Sequence, residues 1–95
     1  MKKFEDLSRH CAIVTGATGG IGSKFAVELA KRGCEVILID INEDRLLETA
    51  DSISKNTGAI LYIHTLDLTR PGLAKDLDDF CDDLELNPDI LINNA

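Results

Sequence analysis

One stretch of the chain has the residue types and spacing to hold a phosphate: Val14-Thr15-Gly16-Ala17-Thr18-Gly19-Gly20-Ile21-Gly22. An anion is bound readily where unpaired backbone N–H groups converge, and the start of a helix offers such groups together with a partial positive charge. For a ligand to come that close, side chains must be absent. Gly16 lets the chain leave the preceding element in a conformation that a Cβ would hinder. Gly20 lets a pyrophosphate approach the backbone, and Gly22 lets the following helix pack closely. Thr18, Gly19 and Ile21 complete the candidate contacts of the turn. A second candidate is Asp40, 18 residues after Gly22. That is near the separation at which a carboxylate reaches an adenosine ribose. Its oxygens would accept from the 2′- and 3′-hydroxyls and would repel a 2′-phosphate.

These groups need a strand before the glycines and a helix after them. Cys11–Thr15 is continuously apolar up to its last residue, as a strand covered on both faces should be. Residues Ile21 to Arg32 have helical period, with Ile21, Phe25 and Leu29 expected on the buried stripe and Gly33 in the C′ role. Glu35–Asp40 is a second apolar strand. Asn42 is the expected N-cap of a second helix carrying Leu46, Leu47, Ala50 and Ile53, which Asn56-Thr57-Gly58 stops. Ala59–Thr65 is expected as a third strand, followed by a loop, Leu66-Asp67-Leu68. Thr69 or Arg70 is expected to cap a third helix with Pro71 in its first turn and Leu73, Leu77, Phe80, Cys81 and Leu84 on its apolar side. Asn87-Pro88 breaks it, and Asp89–Asn93 is expected as a fourth strand.

Strands alternating with helices of this length imply βαβ units and a parallel sheet. The succession suits half of a doubly wound, Rossmann-type α/β fold with strand order 3-2-1-4 and a ligand crevice beyond the carboxyl ends of strands 1 and 4. Gly16, Asp40, Asp67 and Asn94 all fall at such strand ends. Residues 1–95 read as one unit, with no internal repeat or linker.

The glycine spacing, T-G-x-x-x-G-x-G, together with Asp40, Asp67-Leu68 and Asn93-Asn94-Ala95, resembles the classical short-chain dehydrogenase/reductase family over residues 11–95. The glycines alone also fit T-G-x-x-G-x-x-G, the spacing of the extended branch that includes sugar-nucleotide epimerases. Asn93-Asn94-Ala95 breaks that tie, because it matches the start of the classical N-N-A-G motif. The resemblance implies a nicotinamide dinucleotide as cofactor. Asp67 would accept from the adenine amino group, and Leu68 would pack on the ring. Asn93 would tie strand 4 to its neighbours, and Asn94 would sit beside the cofactor ribose. NADP-binding relatives usually carry a base just before the second motif glycine or just after the strand-2 acid. Gly19 and Ile41 stand there, so NAD is expected over NADP. Local alternatives are a helix-capping role for Asp40 or Asp67 and plain turn residues for the asparagines.

The resemblance further implies hydride transfer between the nicotinamide and a small alcohol or carbonyl substrate, by a Ser, a Tyr and a Lys four residues beyond that Tyr. Tyr62 is the only tyrosine and position 66 is Leu66, so no catalytic residue is assigned. The expectation is an N-terminal, incomplete portion of the domain, homo-oligomeric when complete and inactive alone. The alternative from a different class is a stand-alone nucleotide-binding or regulatory module.

Composition supports a folded, small-molecule-binding chain. Of the 95 residues 44% are hydrophobic, and the net charge of −7 disfavours nucleic acid or an anionic membrane. Met1-Lys2-Lys3 is followed by Phe4-Glu5-Asp6 where a signal peptide would be apolar, and no apolar run approaches a membrane span. Cys11, Cys34 and Cys81 lack metal or redox spacing and read as reduced thiols, which points to the cytoplasm. His10 and His64 have no metal-site company. Asp76, Asp78, Asp79, Asp82, Asp83 and Glu85 read as the solvated face of the third helix.

Overall fold

The computed structural model describes residues 6–94, leaving the first five residues and Ala95 of the Asn93-Asn94-Ala95 motif outside the described residues. The elements run β1 (Cys11–Thr15), α1 (Gly20–Lys31), β2 (Glu35–Asp40), α2 (Glu43–Thr57), β3 (Leu61–Thr65), α3 (Leu73–Asp83) and β4 (Ile90–Asn93). All strand pairs are parallel, in the order β3-β2-β1-β4. The Rossmann-type arrangement expected from the alternation of strands and helices is therefore the one observed. The strands are short and apolar, and the two inner ones are covered on both sides. Every residue of β1 is buried, as are Val36–Ile39 of β2, whereas the outer strands β3 and β4 are half-covered.

Side chains alternate between two cores. Ala12, Val14, Val36 and Leu38 face α1 and α2, where they meet Ala26, Ala30, Leu46 and Ile53. Cys11, Ile13, Ile37 and Ile39 face α3 and pack with Leu66, Leu73, Leu77, Phe80, Cys81 and Leu86. Register puts Leu91 opposite Ile13, on the α3 side, but α3 does not reach it and it is 63% exposed. Among the described residues no helix is long and apolar enough to cross a membrane.

Three details differ from the sequence expectations. The buried stripe of α1 is Gly22, Ala26 and Ala30, while Ile21 is 65% and Phe25 46% exposed and Leu29 is half-buried. The cause is distance. A Cβ on Gly22 would lie 2.3 Å from the carbonyl oxygen of Gly16, so only small residues fit between helix and turn. Secondly, α3 starts later than expected. Its N-cap is Gly72, in the left-handed region at φ 81°, and Thr69, Arg70 and Pro71 lie in the turn before it. Thirdly, β3 begins at Leu61, and Leu84 is the exposed C-cap of α3 rather than part of its buried side.

The helix ends follow local chemistry. Asn42 caps α2 by accepting from the Arg45 N–H at 3.0 Å, with Glu43 and Asp44 beside it complementing the helix dipole. Gly33, at φ 89°, closes α1. Its N–H donates to Ala30 O and the Cys34 N–H to Leu29 O, which is the Schellman pattern. The same pattern ends α3, where Glu85 N–H donates to Asp82 O and Leu86 N–H to Cys81 O. There the left-handed position is held by Glu85 itself, at φ 56°.

Candidate functional site

The turn between β1 and α1 is built from its own backbone. Gly16 takes φ 61°, a left-handed conformation that disfavours a side chain. The Gly19 N–H then donates to Gly16 O and the Ala17 N–H to Ile39 O, both at 3.1 Å, which fastens the turn to β2. Gly22 lies directly over Gly16, and its missing Cβ would also fall 2.9 Å from the Asn94 side-chain nitrogen. Beneath the turn, Thr15 is buried and forms a knot with β4. Its Oγ1 donates to Asn93 Oδ1 at 3.1 Å and accepts from the Asn94 N–H at 3.0 Å. The Asn94 amide nitrogen in turn donates to Gly16 O at 3.3 Å. Asn94 therefore sits under the glycine turn and braces it.

The helix start above this turn offers donors to an external partner. Gly19, the N-cap of α1, has no side chain to accept from the first turn, and no acidic residue stands there. The neighbouring α2 is the opposite case, with its asparagine cap and two acids. Gly20 is exposed, and a Cβ built on it meets nothing within 4 Å. One glycine of the pair Gly20 and Gly22 is thus required by the fold, and the other is not.

Asp40 closes the site from the end of β2. Its Oδ2 accepts from the Thr18 N–H at 3.0 Å and the Thr18 hydroxyl at 2.6 Å, and its Oδ1 from the Ile41 N–H at 2.7 Å. Partial burial pushes its pKa up, but the three hydrogen bonds outweigh this, helped by the nearby Arg45, and the carboxyl lies below its ordinary range. It is ionised at neutral pH. Ile41 beside it is exposed. The β3 exit lies next to Asp40, since the Leu66 N–H donates to Asp40 O at 3.0 Å. There Asp67 is held by its own turn. Oδ1 accepts from both the N–H and the hydroxyl of Thr69, at 2.9 and 2.6 Å, and these bonds lower its pKa. Leu68 is half-buried against the α3-side core.

Of the ten candidates, Gly16, Thr18, Gly19, Gly22, Asp40 and Asn94 are bonded or packed into one knot at the strand ends. Gly20 and Ile21 lie exposed at the start of α1, and Asp67 and Leu68 stand on the adjoining loop. The tie of Asn93 to the neighbouring strand agrees with what the resemblance implies, but its partner, the Thr15 hydroxyl, and the grip of Thr18 on Asp40 had no signal in the sequence. Both join residues distant along the chain by hydroxyls that local pattern treats as interchangeable polar groups. The histidines each meet one carboxylate, His10 with Asp89 at 2.6 Å and His64 with Asp76 at 3.0 Å. Tyr62 packs against the α3-side core. The three cysteines are free and buried, and burial foremost raises each pKa, that of Cys11 to about 11.

The strand ends thus gather an uncapped helix start, an open Gly20 and an ionised carboxylate one strand away. A family model described as short chain dehydrogenase matches residues 10–95. An uncharacterized oxidoreductase, YxbG, of Bacillus subtilis is 40% identical over 89 residues, covering 94% of this chain and 32% of that protein. A probable 2,4-dienoyl-CoA reductase of Caenorhabditis elegans is 38% identical over 90 residues, covering 94% and 29%. Among solved structures, L-sorbose reductase from Gluconobacter frateurii, complexed with NADPH and L-sorbose, superposes with a TM-score of 0.84 at 30% identity, covering 90% of this chain and 33% of that one. NAD+-bound xylitol dehydrogenase gives 0.82 at 30% identity, covering 99% and 35%. The chain spans about a third of the length of the curated relatives it matches.

Proposed function

The chain belongs to the short chain dehydrogenase family, and on that premise we propose that it is the dinucleotide-binding part of an NAD-dependent oxidoreductase that moves hydride between a nicotinamide and a small alcohol or carbonyl compound. The observation that carries this reading is the open, uncapped start of α1 at Gly19 and Gly20 beside an ionised Asp40. The N–H groups of that first turn, with the dipole behind them, hold the pyrophosphate. Asp40 accepts from the adenosine ribose and repels a 2′-phosphate, and neither Gly19 nor Ile41 supplies a cation to offset that repulsion. This favours NAD over NADP. Asp67 and Leu68 flank the adenine, and Asn94 braces the turn next to the ribose on the nicotinamide side. When bound, the cofactor supplies the hydride acceptor or donor. The acid–base step belongs to residues other than these, and the site operates in the cytoplasm as part of a homo-oligomeric enzyme.

Gly20 provides the test, because it separates binding from folding. Gly20→Val has room for its side chain in the empty protein, so its circular dichroism and melting temperature should match those of the wild type. Its affinity for NAD, measured by titration calorimetry, should fall at least tenfold, about 1.4 kcal/mol, as the side chain enters the phosphate position. Undiminished NAD binding by this variant would defeat the reading. Equal affinity of the wild type for NAD and NADP would defeat the role given to Asp40.

A further inference from the structure

The loop that carries Asp67 and Leu68 has little packing of its own. It runs from the end of β3 at Thr65 to the start of α3 at Leu73. Its local bonds are the Asp67–Thr69 turn and the Arg70 N–H donating to Asp67 O at 3.1 Å. Between Asp67, Arg70 and Asp76 lies a cavity of about 50 Å³. A void leaves the groups around it without partners on one side, so the course of such a loop is set by its anchored ends. One end is Leu66, which is buried and whose N–H donates to Asp40 O at 3.0 Å. The other end is held from β3 itself. His64 stands two residues from Tyr62, on the side of β3 that faces α3. Its Nε2 meets Asp76 Oδ1, in the first turn of α3, at 3.0 Å. A carboxylate accepts, so Nε2 carries the proton. The imidazole also stacks on Phe80, one turn further along α3, with ring centroids 4.2 Å apart. Bond and stack together clasp positions 64 and 76 and close the loop between them. A half-exposed pair of this kind adds little to stability, and its consequence is geometric instead.

We propose that His64 is a positioning residue of the cofactor site: through Asp76 it fixes the start of α3 against β3, and so holds the Asp67 carboxylate where the adenine amino group can reach it. The proposal rests on the dinucleotide reading above and adds to it a residue that touches neither cofactor nor substrate. Asp67 Oδ1 is taken up by the N–H and hydroxyl of Thr69, which leaves Oδ2 for the amino group. A single acceptor oxygen adds affinity only if the loop beneath it is already in place when the ligand arrives.

The test is titration calorimetry on the full chain with NAD and with an NAD analogue in which unsubstituted purine replaces adenine. His64→Phe keeps a ring on Phe80 and removes the hydrogen bond. Asp76→Ala removes the same bond from an exposed position, and serves the comparison should the phenylalanine variant fold poorly. Each should weaken NAD about three- to fivefold, the worth of one such pair. Each should leave the affinity for the purine analogue unchanged, because Asp67 has no amino group to meet there. Asp76→Asn, whose side-chain oxygen still accepts from Nε2, should bind NAD like the wild type. An equal loss with both ligands, or no loss with either, would overturn the proposal. So would a loss in Asp76→Asn as large as in Asp76→Ala, since charge at the helix start would then be what matters. The wild type tests the underlying reading separately. If it binds NAD no better than the purine analogue, the role of Asp67 falls and takes this proposal with it. If it prefers NAD and His64→Phe keeps that preference in full, only the role of His64 falls.

Discussion

At the scale of single residues, the glycines of the turn differ in kind, and the difference is measurable. Gly22 is fixed by contact with backbone, which cannot swing aside as a flexible side chain can. A Cβ 2.3 Å from Gly16 O forces the helix away from the turn and breaks the Asn94 brace with it. Gly22→Ala should therefore destabilise by about 3 kcal/mol or more, in the range of overpacked cores, and show as a large fall in the denaturation midpoint. Gly20→Ala, two residues earlier, should change stability little. Equal losses for the two would contradict the packing described here. The motif spacing already gives close packing to Gly22 and an open backbone to Gly20, and the Cβ distances agree with that division. The place of Asp40 at the end of β2 was legible, because its distance from the glycines is a property of the βαβ unit. Thr18 as its partner was not, because that bond spans two elements and depends on the exact course of the turn.

At the scale of elements, both the strand order and the helix ends obey simple rules, with α3 the strained member. Its left-handed C′ position is occupied by Glu85, where glycine carries no steric cost, and its last turn has acids but no base. Both features oppose the helix, the second through the macrodipole. Glu85→Gly should stabilise the protein by about 1 kcal/mol, visible as a raised melting temperature. A lowered one would remove the argument. The β1–β4 pair carries its own pH dependence. Asp89 accepts from the Cys11 N–H and from His10, and these two bonds, in that order, hold its pKa below the ordinary value. A carboxyl depressed on folding contributes stability above its unfolded pKa, near 3.9, and loses it as pH falls through the folded value. Asp89→Asn should accordingly flatten the acid side of the melting-temperature profile and leave its slope near neutral pH alone.

Elements were largely legible in the sequence, since continuous apolar runs bounded by glycine and asparagine have few other readings. The face of α1 was not. Hydrophobicity points to Ile21 and Phe25, whereas the fold selects by size and buries Gly22, Ala26 and Ala30. A helix pressed this closely on a glycine turn inverts the usual rule that the largest apolar residues mark the buried side. The start of α3 was missed for a related reason. Proline in a first turn is common, but here a left-handed Gly72 intervenes and resets the helix two residues later.

For the molecule as a whole, the distribution of cover is uneven. One helix shields the α3 side of four strands, and Leu91 on the outer strand β4 remains 63% exposed there. On the opposite flank Ile21 and Phe25 stand in solvent. Edge strands with exposed apolar residues are templates for pairing with another chain. The 95-residue chain should therefore self-associate with increasing concentration, as followed by sedimentation velocity. Leu91→Lys, which places a charge on that edge, should shift the distribution toward monomer. A wild type that stays monomeric across the micromolar range would show that the uncovered face is tolerated.

The pairing of β1 with β4 also sets a clock. Ala12 lies opposite Ile90, so β1 is made well before the strand that becomes its second neighbour. At about 5–20 residues per second of synthesis, roughly 4 to 16 s separate the two. For that interval β1 is paired on one side only, with β2, and its β4 side is an open edge. The same lag applies to the turn above it, since the Thr15–Asn93–Asn94 knot that braces the glycines forms with β4. A nascent chain thus has its glycine turn before it has the brace, and the turn takes its finished form only when β4 arrives.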